Sequence, residues 1–489
     1  MDSATFVDAT DYLQQAWEYL RTPIVSAPWH AWREFWLTKI LDDRYIVAWF
    51  LPLLPILLLL RRDRLRIGIV LTGLVFVGYL FGAAYAGFWL LICVGLYHFA
   101  EWFAVRTERE PVPRWRTPMV AMITVGGGLL ATMAMQHIPL PEQFQVWLRE
   151  QALWLFPLGA RAWLWEPTFP NFPQAGLFKV VFNNAHNIGT AYLAVRMLHY
   201  LSEIRRGGLP RERRTLLNFL AYLCYAPTLM QGPIERFAPF QHEMDTCHER
   251  RSWTNLPPAL ARIGLGLLKS LIATLYIAPL LWEIGVTRDS IYFKHPEQVE
   301  SLWMLYTGVF WAILALYLEF SGYCDISAGF ARLLGYRQIE NFRRPWLATS
   351  MRDMWRRWHI SLSFILRDYV YIALGGNRRH VLINLCVTFF LCGIWHSPIL
   401  KVGLWGLLMG LMVWVNHRWV QWMKRLDEAP TGALPAIRRG WLKLWPLPQI
   451  CAWLLTQHAF VLSLLLFFGG SGFIRVPREI FRRIWEGLT

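Results

Sequence analysis

Charge is scarce in this chain: 17% of its 489 residues are Asp, Glu, Lys or Arg, against about 25% in an average soluble domain. With 55% hydrophobic content and 28 tryptophans, that deficit excludes an ordinary soluble protein of two or three domains. Cysteines are few, and the seven at 93, 224, 247, 324, 386, 392 and 451 show no metal-ligand or paired spacing. Most fall inside apolar runs, so they read as small buried hydrophobes and not as a disulfide framework. The first 45 residues lack the basic start, apolar core and small-residue cleavage site of a signal peptide. Internal spans are therefore expected to direct insertion. Low-complexity linkers, a soluble domain and a clear repeat are also missing.

What the chain does have is long apolar runs punctuated by arginine. Residues 46–60 end at Arg61-Arg62-Asp63-Arg64-Leu65-Arg66, and residues 67–104 are long enough for two spans of about 20 residues each. Arg106, Arg109, Arg114 and Arg116 follow, then an apolar run over 117–138. The next span, near 176–198, leads into Arg205, Arg206, Arg211, Arg213 and Arg214. Counting parity puts all three basic clusters on one side, which the positive-inside rule makes cytoplasmic, with an extracytoplasmic N-terminal segment over 1–45. The same pattern accounts for the net charge of +16 without nucleic acid, since the bases lie in short clusters between apolar runs.

Residues 141–173, with Trp147, Trp154, Trp163 and Trp165 among prolines and scattered charge, suit the headgroup zone. Further apolar segments lie near 215–230, 256–281, 302–320, 381–395, 402–415 and 447–468. The expectation is an all-α polytopic membrane protein of about 10 to 12 transmembrane or re-entrant helices. It divides into the N-terminal segment, helices with an interfacial stretch over 46–175, a core over 176–425, and a loop and helix over 426–489.

A band of charge breaks this pattern. Residues 353–371 read Asp353-Met-Trp-Arg-Arg-Trp-His-Ile-Ser-Leu-Ser-Phe-Ile-Leu-Arg-Asp-Tyr-Val-Tyr, followed by Gly375-Gly-Asn-Arg-Arg and then Gly393-Ile-Trp-His396-Ser-Pro. As one helix, Arg356, His359, Ser363 and Arg367 stand at offsets of 0, 3, 7 and 11, within about one quarter of the circumference. A lipid-facing charge at a helix centre costs roughly 2.5–3.5 kcal/mol, so Asp353, Arg356, Arg357, Arg367 and Asp368 together would cost on the order of 15 kcal/mol. The stretch cannot be an ordinary lipid-exposed span. His359 and His396 stand out, because imidazole titrates near neutral pH and can take a proton from an attacking hydroxyl and return one. A lone membrane histidine serves packing as readily as chemistry; a second one on a cationic stripe favours chemistry.

Asp325, in Phe320-Ser-Gly-Tyr-Cys-Asp325-Ile-Ser-Ala-Gly, is either a functional carboxylate or an ion-paired anchor, with Arg332 or Arg356 as expected partners. The run from Asn218 to Gln231-Gly-Pro-Ile-Glu-Arg-Phe237 reads on its own as a simple span ending. Three patterns mislead. Residues 241–249 carry His242, Glu243, Asp245, Cys247, His248 and Glu249 but lack the His-Glu-x-x-His spacing of a zinc helix, so a polar loop and no metal are expected. His186 and His199 lie 13 apart, yet no second helix repeats that spacing for haem. Gly264-x-Gly266-x-x-Lys269 lacks the full glycine spacing of a phosphate loop.

Taken in order, Gly322-Tyr-Cys-Asp325, Glu340-Asn341-Phe-Arg-Arg-Pro345, Trp355-Arg-Arg-Trp-His359-Ile-Ser-Leu-Ser363, Arg367-Asp-Tyr-Val-Tyr371 and Gly393-Ile-Trp395-His396 closely resemble the membrane-bound O-acyltransferase superfamily. The similarity spans roughly 218–420 and points to the bacterial polysaccharide branch, typified by alginate O-acetylation and, more distantly, teichoic-acid D-alanylation proteins. The C-terminal Phe467-Phe468-Gly-Gly lacks the aromatic-arginine ending of that branch.

The resemblance implies helices around a central tunnel in the bacterial inner membrane. It implies a catalytic His396, and a His359 that orients or polarises the donor. Asp325, Asn341, Trp355, Arg356, Ser363, Arg367 and Trp395 would line the tunnel. No resident cofactor or metal is implied: acetyl-coenzyme A or another acyl thioester enters as donor, its phosphates suited to arginine. An extracytoplasmic polysaccharide accepts the acyl group, with a serine-hydrolase-like partner protein completing the transfer. Two alternatives stay open: D-alanyl transfer from a carrier protein, and a conduit without chemistry, because polar cavity residues serve passage equally well.

Overall fold

The computed structural model describes residues 54–81, 83–109, 190–229, 232–277, 280–281, 291–396, 400–429, 431–469 and 472–488. The expected N-terminal segment, the apolar run over 117–138, the interfacial tryptophan stretch and His186 lie outside these residues. Regular structure in the described part is entirely helical.

The apolar run after Arg66 forms two helices, as its length requires: α1 (Arg62–Phe81) and α2 (Ala83–Arg109). Then come α3 (Thr190–Arg205), α4 (Leu216–Leu223), α5 (Phe237–Thr246) and α6 (Leu256–Ile272). The apolar run over 215–230 is thus a two-turn helix and a short 3-10 turn, Ala226–Thr228, and not a full span. The ligand-rich stretch at 241–249 is helical where a loop was expected.

Next are α7 (Leu302–Leu333), α8 (Met351–Arg357), α9 (Ile360–Leu366), α10 (Val381–His396), α11 (Leu400–Glu428), α12 (Ala433–Lys443), α13 (Leu447–Gly469) and α14 (Gly472–Leu488). Among the described residues α7, α11 and α13 are long and apolar enough to cross a membrane. At 32 residues α7 reaches about 48 Å at 1.5 Å per residue, and so carries Asp325 inside a continuous helix.

Two helix pairs position the polar residues. In the first, α6 meets α7 at Gly266 and Gly322. A Cβ on Gly266 would lie 2.4 Å from the Gly322 carbonyl oxygen, and one on Gly322 2.8 Å from that of Gly266. Only glycine permits this approach, which aligns Arg262 and Lys269 with Asp325. In the second, α10 and α11 form a hairpin in which a Cβ on Gly393 would sit 2.2 Å from the Val402 oxygen. That closeness holds His396, one turn beyond Gly393, against α11.

The basic clusters around Arg66 and around Arg205 to Arg214 converge at one end of the described helices. Asp245 on α5 accepts from Arg66 at 2.5 Å and also from Arg213. Arg214 stands 3.8 Å from Glu101 on α2, and the Tyr97 hydroxyl donates to the Arg214 carbonyl at 3.0 Å. Arg206 donates to the Asp368 carbonyl at 2.7 Å, and Arg236 pairs with the Asp368 carboxylate, so the segment after α9 belongs to the same end. Burial raises the Asp245 pKa, but the hydrogen bonds from Arg66 and Arg213 outweigh it and hold the carboxylate below its ordinary range.

Candidate active site

The charged band over 353–367 is two helices, not one. Ser350 caps α8 by accepting the Asp353 N–H at 3.1 Å. Asp353 in the first turn and Arg356 and Arg357 in the last complement the helix dipole. The chain then leaves the helix: Trp358 is extended and His359 is left-handed at φ 45°, ψ 54°. For a bulky residue such a conformation costs on the order of 1–3 kcal/mol and persists only where surrounding structure imposes it.

Here the imposing residue is Asn341, 1% exposed. Its carbonyl accepts the Ile360 N–H at 2.9 Å, and its Oδ1 accepts the Ser361 N–H at 3.2 Å and the Ser361 hydroxyl at 2.9 Å. Ser361 Oγ in turn accepts the Ile234 N–H at 2.9 Å. The single stripe expected from helical spacing therefore does not form. Arg356 is exposed. Ser363 donates from its hydroxyl to the Trp358 carbonyl at 3.4 Å. Arg367 is exposed, bonded to Asp368 at 2.7 Å and lying 4.9 Å above the Phe364 ring.

The break aims His359 inward, where the fold brings it beside His396. The two imidazole centroids are 6.5 Å apart. His359 is 2% exposed, and its Nδ1 has no hydrogen-bond partner on another residue. Phe320 and Trp395 meet its ring edge-on at 4.8 and 5.8 Å. His396, the last residue of α10, touches Trp395 at 4.6 Å, Phe467 at 5.6 Å and Trp405 at 6.0 Å, yet is exposed. Both imidazoles are packed by aromatic rings, but His359 is a buried residue and His396 stands at an exposed helix end.

Trp355 belongs to the same aromatic layer. It lies 4.9 Å from Phe389 and 6.2 Å from Trp405, with its indole N–H buried and unpartnered. Against this layer, the imidazoles of His359 and His396 offer groups that can take and return a proton at the edge of an apolar wall.

Asp325 is elsewhere in its chemistry. It accepts from Arg262 Nε at 2.6 Å and Lys269 Nζ at 2.5 Å, not from Arg332 or Arg356 as expected. Arg262 continues to Glu340 at 3.0 and 2.6 Å. The partners come from α6 because the glycine contact brings that helix against α7, which sequence proximity to Arg332 does not reveal. The imitation phosphate loop at Gly264 to Lys269 is the middle of α6.

The run after Gln231 does more than end a span: Ile234 reaches Ser361, the Phe237 N–H donates to His199 Nε2 at 2.8 Å, and Arg236 pairs with Asp368. With Nε2 accepting, His199 carries its proton on Nδ1 and donates to Tyr369 at 2.7 Å; Tyr369 donates to Glu203 at 2.7 Å. Its place is a structural relay. Among the described residues no group of His, Cys, Asp and Glu is arranged to hold a metal.

Long apolar helices, a helix broken at a buried histidine and a second histidine at an open helix end define a multi-pass membrane protein with a paired-imidazole site. The family described as MBOAT, membrane-bound O-acyltransferase, matches residues 149–445, and the chain belongs to it. It is 32% identical over 227 residues to a probable alginate O-acetylase of Pseudomonas fluorescens, covering 46% of this chain and 43% of that one. It is 28% identical over 258 residues to a peptidoglycan O-acetyltransferase of Helicobacter pylori, covering 51% and 44%. With a teichoic acid D-alanyltransferase of Streptococcus thermophilus it shares 27% identity over 304 residues, covering 59% and 68%. The chain thus matches less than half the length of the two O-acetylating relatives.

Proposed function

We propose that the protein transfers an acyl group, acetyl above all, from a thioester donor to a polysaccharide of the cell envelope, with His396 as general base. The observation that carries this reading is the imidazole pair 6.5 Å apart, His359 buried and His396 at an exposed helix end. In the proposed step the acceptor hydroxyl oxygen attacks the thioester carbonyl while His396 takes the hydroxyl proton. The carbon–sulfur bond then breaks, and the imidazolium returns the proton to the departing thiolate. His359, behind it, orients or polarises the donor carbonyl. By the positive-inside rule the arginine-rich end faces the cytoplasm of a bacterial inner membrane, where acetyl-coenzyme A is the donor. The acceptor polymer lies on the opposite side, reached through a helix-lined tunnel and a serine-hydrolase-like partner protein.

Two of the relatives above are named for O-acetylation, which supports acetyl. The longer match to a D-alanyltransferase favours, as second reading, D-alanyl delivered on a carrier protein. The purified full chain in lipid nanodiscs, given labelled acetyl-coenzyme A and then a labelled D-alanyl carrier thioester, separates the two by which thioester is cleaved. Thioester loss that survives His396→Ala sinks the catalytic assignment, and donor passage without cleavage leaves a conduit.

A further inference from the structure

We propose that Asn341 is a positioning residue for His359: it caps α9 from a distance, so that a histidine stands at the N-cap position with its ring free for chemistry. The inference rests on the reading of His359 given above.

The first N–H groups of a helix have no partner within it, and the N-cap side chain ordinarily accepts one of them, which is why Ser, Thr, Asp and Asn dominate there. At α9 the N-cap is His359, and its side chain makes no capping bond. The first two N–H groups, those of Ile360 and Ser361, go instead to the carbonyl and Oδ1 of Asn341 at 2.9 and 3.2 Å. Asn341 comes from the segment after α7, 20 residues from Ser361, so the cap is tertiary and not local.

The flank on the other side is tied to the same segment, because the Arg343 N–H donates to the Arg357 carbonyl at 2.9 Å. Residues 341–343 therefore hold the backbone before and after His359, and with it the left-handed turn. Ser361 locks the clamp by donating to Asn341 Oδ1 while accepting from Ile234. No polar group of another residue holds Nδ1 of the imidazole itself. Its direction is therefore set by the backbone and the surrounding rings, and loosening the clamp lets the ring drift while leaving the helices in place.

The test uses the full chain in nanodiscs with labelled acetyl-coenzyme A, measuring kcat, donor KM and the folded fraction for each variant. Asn341→Ala is expected to lower kcat about 10²-fold, the scale set by an ångström of misplacement, with KM unchanged. Ser361→Ala, which leaves both backbone bonds in place, is expected to lower kcat less, and Ser361→Thr to restore it. The deciding comparison pairs Asn341→Ala with His359→Gln: if Asn341 acts through His359, the double variant turns over no more slowly than His359→Gln alone. Multiplying losses overturn the proposal, as does a fall in kcat that matches a fall in folded fraction in both Asn341→Ala and Ser361→Ala. Parental turnover in His359→Gln would overturn the role of His359 and this inference together, leaving His396 untouched; multiplying losses with an impaired His359→Gln overturn the inference alone.

Discussion

Two polar groups sit deep in this helical protein and are treated in opposite ways. Asp325 has a cation on each oxygen, Arg262 and Lys269, and a second carboxylate, Glu340, shares the arginine. His359 is as enclosed, at 2% exposure, but its Nδ1 has no partner on another residue and its backbone is left-handed. An unmade hydrogen bond on a buried group costs about 1–3 kcal/mol. The first group is fully ion-paired and the second keeps a ring nitrogen that no other residue holds, as the proposed division between an anchor and a reactive site requires. Charge at membrane depth is therefore not by itself a sign of function, because an ion-paired carboxylate such as Asp325 is already satisfied within the fold.

Substitutions at either site test the contrast between them. The largest effect is expected at the open end: His396→Ala should lower thioester turnover about 10²- to 10⁴-fold, the range of general acid–base catalysis, while the protein elutes and melts like the parent. At the satisfied end, Asp325→Ala leaves two cations facing each other. It should cost about 3 kcal/mol, the low end for a broken buried pair, because Arg262 keeps 35% side-chain exposure; thermal unfolding in detergent reads this. Turnover per folded molecule should change little, and a loss as large as that of His396→Ala would place Asp325 in the reaction.

A smaller effect separates the basic end of the bundle. Asp245 has a depressed folded-state pKa, so its contribution is present at neutral pH and is lost as pH falls through and below the ordinary carboxylate range. Asp245→Asn should therefore flatten the acid limb of the stability curve, by about 1 kcal/mol or less because the pair is partly exposed. The smallest effect is expected at Arg367. Exposed and bonded to its neighbour Asp368, it should shift stability by about 0.5 kcal/mol or less when replaced by alanine. A tenfold loss of turnover in Arg367→Ala would return it to the cavity wall.

Much of this arrangement was legible in the residues, and the failures have a common cause. The division of residues 67–104 into α1 and α2 followed from the length of that apolar run. The apolar stretches near 381–395 and 447–468 became α10 and α13. The two histidines stood out because ionisable rings are costly in apolar segments.

Helical spacing over 353–367 misled, because the chain breaks at His359 for a reason held at Asn341, outside the window that periodicity reads. For Asp325 the segment pattern offers Arg332 or Arg356, while its actual partners lie 63 and 56 residues away on α6. The importance of the Ile234 to Phe237 segment was hidden for the same cause: its partners, Ser361, Asp368 and His199, come from other helices.

By itself, then, the amino-acid sequence determined the solvent this protein folds in, the order of its helices, the clustering of arginine at their ends and the identity of two histidines. These are properties of single segments, decided by transfer free energies and by length. Which polar groups are satisfied was decided only by tertiary structure, through the glycine contact that brings α6 to Asp325 and the Asn341 clamp that turns His359 toward His396. A hydrogen bond requires two groups within about 3 Å, and the sequence separation of such groups carries no record of that distance until the helices have met.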